Sequence, residues 1–170
     1  LARPAVTVLG IDTSLRSTGY GVVCSENNRC RALTHGRIIN PPALRHSACL
    51  DHIYSTISKL LAEFRPQYAA VEGIFFCKNV KTAVILGQAR GAVLAACAGA
   101  TTPVFEYSPR RVKQSVSGTG TAQKDQVGRM VMSIMGLPSV PQSDEADALA
   151  IALCHIHSVS GIGAETSGEI

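Results

Sequence analysis

Val6-Thr-Val-Leu-Gly-Ile-Asp12 is an apolar run that ends on a carboxylate, and it is followed by Thr13-Ser-Leu-Arg-Ser-Thr-Gly19 and then Tyr20-Gly-Val-Val-Cys24. The first segment reads as a buried strand delivering Asp12 at its end, the second as a polar turn, and the third as the returning strand of a hairpin. Arg31 to Asn40 predicts a third strand, closed by Pro41-Pro42. The chain therefore opens as an antiparallel meander.

Beyond the meander the apolar period changes. Leu50, Ile53, Ile57, Leu60, Leu61 and Phe64 recur at helical spacing, and Pro66 closes that helix. Tyr68 to Val71 predicts a short strand that delivers Glu72. Residues 80–98 predict a second helix, rich in Ala and Gly and so suited to close packing. Val104 to Glu106 predicts a strand and Pro109 to Ser115 a short helix. Thr121 is the expected N-cap of a helix buried through Val127, Met130, Val131, Ile134 and Met135. Ser143 is the expected cap of a last helix reaching about His157. Three antiparallel strands followed by alternating helices and strands imply an α/β fold, one mixed sheet with helices packed on it.

The 170 residues suit one domain, expected over 1–158, with a flexible Gly-rich tail over 159–170. A hydrophobic fraction of 46% against 16% charged residues excludes a disordered chain. The six cysteines form no CxxC pair, which argues against a zinc knuckle and for reduced thiols in a cytoplasmic protein. No signal peptide is read at the start, and the longest apolar stretch, Gly91 to Ala100, is too short to span a bilayer. The formal charge of +4 fits a nucleic-acid partner, with Arg110, Arg111, Lys113, Lys124 and Arg129 falling in one stretch.

With twelve acids in the chain, their placement is informative. Asp12 and Glu72 each end an apolar strand, and Asp144 and Asp147 lie three apart on one helix face. If these four meet, they repel one another unless protonated or bound to a cation, and hard oxygen donors select Mg²⁺ or Mn²⁺. Taken singly, Asp12 also fits an Asx-turn and Asp144 a favourable helix start. Lys124 in a first helical turn opposes the helix dipole, and a phosphate held between it and Lys113 accounts for that placement. Phe75-Phe76 offers a stacking face for unpaired bases or, equally, a core residue. His155 and His157 are read as structural.

Six segments together resemble the RuvC family of bacterial Holliday-junction resolvases: Leu9-Gly-Ile-Asp-Thr-Ser14 with Thr18-Gly-Tyr-Gly-Val22, Val71-Glu-Gly-Ile-Phe-Phe-Cys-Lys-Asn79, Leu86-Gly-Gln-Ala-Arg-Gly91, Val104-Phe-Glu-Tyr107, Arg111-Val-Lys-Gln114 and Asp144-Glu-Ala-Asp-Ala-Leu-Ala-Ile151. The resemblance runs in order from about residue 6 to 157. It implies a ribonuclease H-like fold, a mixed five-stranded sheet with helices on both faces. It implies a homodimer that cuts four-way DNA junctions by paired symmetric nicks, using two Mg²⁺ ions per site with Mn²⁺ as a substitute. Asp12, Glu72, Asp144 and Asp147 would hold the metals, and Phe75, Lys78, Lys113 and Lys124 would contact DNA. A branch-migration motor built from RuvA and RuvB is the implied partner, and no membrane is involved.

The chain departs from the family pattern at Thr13-Ser-Leu-Arg16, where Pro-Gly is common, at Gly73, where Gln is common, and at the additional acid Glu145. Two other readings stay open from the residues. One is a fragment of a sugar-kinase or actin-like ATPase, suggested by Gly10-Ile-Asp-Thr-Ser14. The other is a non-catalytic DNA-binding protein on the same fold, which four retained acids oppose because bare carboxylates repel DNA.

Overall fold

The structure is a computed structural model, and it describes residues 5–74, 79–161 and 168–170. Phe75, Phe76 and Lys78 lie outside the described residues. Among the described residues the elements run β1 (Val6–Asp12), β2 (Ser17–Glu26), β3 (Arg29–Ile39), α1 (His46–Phe64), β4 (Tyr68–Glu72), α2 (Val80–Gly99), β5 (Val104–Tyr107), α3 (Pro109–Ser117), α4 (Lys124–Met135) and α5 (Ser143–Val159).

The five strands form one sheet in the order β3-β2-β1-β4-β5. The meander is antiparallel and β4 and β5 run parallel to β1, which is the mixed sheet the sequence predicts. The β2–β3 hairpin turns on Asn27 and Asn28, both at positive φ (50° and 63°), a pairing whose twist suits a two-residue loop.

Alternation along the strands sorts the core into two layers. Leu9 and Ile11 of β1, Val22 of β2, and Ala69 and Val71 of β4 pack with Ile53 and Ile57 of α1 and Val93 and Cys97 of α2. Val8, Val23 and Ala70 face the other way, onto Val112, Val131, Leu149 and Leu153 of α3, α4 and α5. Helices therefore cover both faces of the sheet, as in the ribonuclease H-like arrangement.

Helix α5 lies unusually close to the sheet. A Cβ on Gly10 would stand 2.1 Å from the Ala148 carbonyl oxygen, and one on Gly19 would stand 2.0 Å from that of Asp144. The missing side chains are what let this helix backbone rest directly on β1 and β2.

Several local expectations are corrected. The N-cap of α4 is Gln123 rather than Thr121, whose hydroxyl bonds to that of Thr119 at 3.0 Å instead. The N-cap of α5 is Gln142, whose side-chain oxygen accepts the Asp144 N–H, so Ser143 is already helical. Helix α1 does close at Pro66 as expected: it ends at Phe64, with Arg65 as its C-cap in the left-handed region (φ 45°). The close packing expected of α2 holds on one face, against α1 and the sheet. Ala89, Val93, Ala96 and Cys97 face the core, but nothing lies within 4 Å of a Cβ placed on Gly87 or Gly91. At 20 residues α2 is long and apolar enough by length and composition to cross a membrane, which the reading of Gly91 to Ala100 alone missed. Its packing against α1 and the sheet places it in the fold. At the C-terminus, Glu169 bridges to Phe105 and the Ile170 N–H donates to the Val104 carbonyl at 3.0 Å, so the described end of the expected flexible tail returns to β5.

Candidate active site

The same alternation that sorts the core places the acids. On β1, Val8 and Gly10 face α5, so Asp12 does too; on β4, Ala70 faces α5, so Glu72 does too. Ile11 pairs with Val71, which sets Asp12 and Glu72 side by side at the ends of adjacent parallel strands. Helix α5 then brings Asp144 and Asp147 over the sheet on that side.

The pocket they make has a volume of about 220 Å³ and is lined by Asp12, Glu72, Lys113, Lys124 and Asp147, with Pro109, Val112, Val127 and Ile151 as its apolar wall. Lys124 Nζ donates to Asp147 Oδ2 at 2.9 Å. Asp144 accepts the Ser17 hydroxyl at the start of β2. Glu145 turns away: its Oε2 lies 2.6 Å from His35 Nδ1 on β3, so the additional acid of the sequence stands outside the pocket.

The electrostatics follow from this crowding. Burial, then the charges of Asp147, Glu72 and Asp144, push the Asp12 carboxyl up from 3.8 to about 7, against the pull of Lys124. Glu72 is raised by burial and by Asp147, with Lys124 and Lys113 opposing. The hydrogen bond and charge of Asp147 raise Lys124. Such a site carries more negative charge than its two lysines neutralise.

Among the described residues no three His, Cys, Asp or Glu side chains stand together at metal-binding spacing. Two of the acids have other partners, Asp147 holding Lys124 and Asp144 holding Ser17. The donor set nonetheless fits a hard divalent cation: its donors are carboxylate oxygens, and burial together with their mutual repulsion raises Asp12.

The turn after Asp12, Thr13-Ser-Leu-Arg16, is fixed by its own bonds. Ser14 N–H donates to Thr18 Oγ1 at 3.2 Å, and the Thr18 hydroxyl returns to the Ser14 carbonyl. Arg16 Nη1 donates to the Pro41 carbonyl at 2.7 Å, and buried Asn40 donates to the Leu15 carbonyl at 2.7 Å. His155 is a core residue, its Nδ1 2.8 Å from the Tyr107 hydroxyl, and His157 Nδ1 lies 3.1 Å from the Ser115 carbonyl oxygen; neither lines the pocket.

Sequence reasoning placed Asp12, Glu72, Asp147, Lys113 and Lys124, which the structure brings together, with Asp144 beside them. It missed Ser17, folded into the polar turn by that reading. It also missed Arg90, which donates to the Glu72 carbonyl at 2.7 Å and pairs with Glu106. The motif Leu86-Gly-Gln-Ala-Arg-Gly91 held that signal, since a charged residue among so many small ones needs a partner.

A sequence model of the family described as crossover junction endodeoxyribonuclease RuvC matches residues 8–155. The chain is 47% identical over 152 residues to crossover junction endodeoxyribonuclease RuvC of Syntrophomonas wolfei, covering 89% of this chain and 88% of that one. It is 43% identical over 157 residues to that of Citrifermentans bemidjiense, covering 92% and 95%. It superposes on T. thermophilus RuvC, solved in complex with a Holliday junction substrate, with a TM-score of 0.91 at 35% identity, covering 97% of this chain and 99% of that one. The match spans the strands and helices that carry all four acids, and the chain belongs to the RuvC family of crossover junction endodeoxyribonucleases, metal-dependent nucleases that hydrolyse phosphodiester bonds.

Proposed function

We propose that this chain resolves four-way DNA junctions by paired symmetric nicks during recombination and repair, with Asp12, Glu72, Asp144 and Asp147 as the acids that hold divalent metal. The observation that supports this most is the pocket in which Asp12, Glu72 and Asp147 stand with Lys113 and Lys124 against an apolar wall. The metal is Mg²⁺, two ions per site, with Mn²⁺ as a substitute; bound there, it would activate a water and stabilise the leaving oxygen of the phosphodiester.

The chain's own residues do the rest. Asp12, rigid at the end of β1, offers its oxygens from the middle of the sheet. Asp147 would hold the cation, and the Lys124 ammonium beside it would bind a DNA phosphate near the cut. Lys113, on α3, holds the strand from the other side of the pocket. Val112, Val127 and Ile151 exclude bulk water, which strengthens these charge interactions. Phe75 and Lys78 are assigned to contacts with the junction on the strength of the family resemblance.

A junction needs two cuts and each chain carries one set of acids, so the active form is a homodimer. Helix α2 is the proposed two-fold contact: Val80 and Val84 are 78% and 53% exposed, and Gly87 and Gly91 leave open space on its surface. Residues 1–158 act as the nuclease domain, with 159–170 as a tail. The implied setting is the cytoplasm, alongside a branch-migration motor of RuvA and RuvB.

The test is incubation of the protein and Mg²⁺ with a synthetic four-way junction and with linear duplex of the same sequence. Paired nicks in opposed strands of the junction alone are expected, and an intact junction under conditions where the protein binds it contradicts the proposal.

A further inference from the structure

Glu72 is the last residue of β4, and the pairing of β4 with β1 ends one residue earlier, at Ile11 and Val71. A ligand at a strand end needs its main chain fixed by something other than that ladder. On the β5 side, Gly73 N–H donates to the Tyr107 carbonyl at 2.9 Å. The Glu72 carbonyl itself accepts from Arg90 Nη1, a guanidinium on α2, at 2.7 Å. Arg90 Nη2 pairs with the Glu106 carboxylate on β5, and the Arg90 side chain is only 12% exposed.

These groups lie on the far side of the sheet from the pocket. Val71 faces α1 and α2, and Glu106 is its register partner on β5, so Glu106 faces the same way. Arg90 thus reaches Glu72 from beneath, while the Glu72 side chain projects into the pocket above. The planar guanidinium suits the task, since its separate N–H groups engage a carbonyl and a carboxylate at once. The contact of Arg90 with Glu72 is to the main-chain carbonyl.

We infer that Arg90, aimed by Glu106, is a positioning residue that fixes the end of β4 and so sets the Glu72 carboxylate at the distance the metal requires. It touches neither DNA nor metal. This rests on the assignment of Glu72 to the metal-holding acids. Residues that orient a ligand from behind it typically change metal affinity or activity by about 10- to 100-fold when replaced.

The experiment uses the full-length protein and its Arg90→Gln, Arg90→Lys and Glu72→Gln variants. Mn²⁺ binding without DNA is measured by calorimetry, single-turnover junction cleavage is followed across pH, and junction affinity is measured in EDTA. For Arg90→Gln the expected result is roughly tenfold weaker Mn²⁺ binding and a comparable fall in cleavage rate. Junction affinity and the shape of the pH profile should stay as in the wild type. Arg90→Lys retains the charge beside Glu106 and one donor, and should recover part of the loss. If Arg90→Gln does not fold, Arg90→Lys against wild type decides. A folded Arg90→Lys (or Arg90→Gln) protein with wild-type Mn²⁺ affinity and cleavage, beside a Glu72→Gln variant that has lost both, overturns the inference and leaves the site assignment standing. Wild-type behaviour of Glu72→Gln removes that assignment itself.

Discussion

Lys124 Nζ lies 2.9 Å from Asp147 Oδ2, a cation from the first turn of α4 paired with an acid of the metal-holding set. The Lys124 side chain is 70% exposed, so the pair itself contributes little stability, within about 1 kcal/mol. Its value lies in charge delivered to the pocket. Lys124→Ala should therefore melt within a few degrees of wild type yet cut roughly 100-fold more slowly, the usual scale for losing one preorganised electrostatic donor. Single-turnover cleavage beside a melting curve checks this, and an unchanged rate returns Lys124 to the ordinary surface.

The contact between α5 and the sheet predicts an asymmetry among glycines. Gly10→Ala would set a methyl group 2.1 Å from the Ala148 carbonyl and 2.7 Å from the Ala152 nitrogen, and helix backbone cannot swing aside as a flexible side chain does. A loss of about 3 kcal/mol or more is expected in urea unfolding. Gly19→Ala meets the Asp144 carbonyl at 2.0 Å and should displace the start of α5, reducing cleavage as well as stability. A midpoint within error of wild type for Gly10→Ala contradicts the packing described.

Buried histidines and crowded acids give the metal-free protein opposing pH dependences, His155 and Asp12 being the most shifted of each. Burial lowers His155 from 6.5 to about 4, so between those values the unfolded chain takes a proton that the folded one refuses, and stability falls as pH falls. Asp12 is raised from 3.8 to about 7, so its contribution is full at low pH and is lost as pH rises toward 7. In EDTA the two slopes offset each other in the wild type. Asp12→Asn removes one of them, so its melting temperature should climb relative to wild type between about pH 5 and pH 7.5. Parallel curves for the two proteins would contradict the crowding of acids around Asp12.

The exposed apolar face of α2 predicts the oligomeric state. Val84→Glu adds a charge at a 53% exposed position, where a monomer tolerates it and a packed two-fold contact does not. Sedimentation should show a dimer for wild type and a monomer of undiminished helix content for the variant. A variant that remains dimeric moves the interface elsewhere.

Most of the fold was legible because period and burial agree. β1 and β4 read as apolar runs that each end on an acid, and the alternating pleat of any strand then decides the face Asp12 and Glu72 occupy once the helices are in place; the i, i+3 spacing brings Asp144 and Asp147 to one face of α5. Caps were less legible: Thr121 and Ser143 are good cap residues, but Gln123 and Gln142 hold those positions, because the loops that enter α4 and α5 set where the helices begin. The partners Ser17, His35 and Arg90 stand 127, 110 and 18 residues from the groups they bind, and no local pattern encodes such pairs. Gly10 lies in the first strand and Gly19 was read as part of the polar turn, and neither carried a signal of its own. Their use, to admit the α5 backbone, emerges only when the helix is in place.

The central claim is that Asp12 belongs to the metal-holding acids of a junction nuclease. Asp12→Asn keeps the shape of the side chain and removes its charge. The deciding measurement is single-turnover cleavage of a synthetic four-way junction with Mg²⁺, made where junction binding in EDTA is shown to match wild type. Binding at wild-type strength is expected, since basic residues carry it, with cleavage lost by at least about 1,000-fold. An Asp12→Asn protein that binds the junction and cuts it at near wild-type rate contradicts the account.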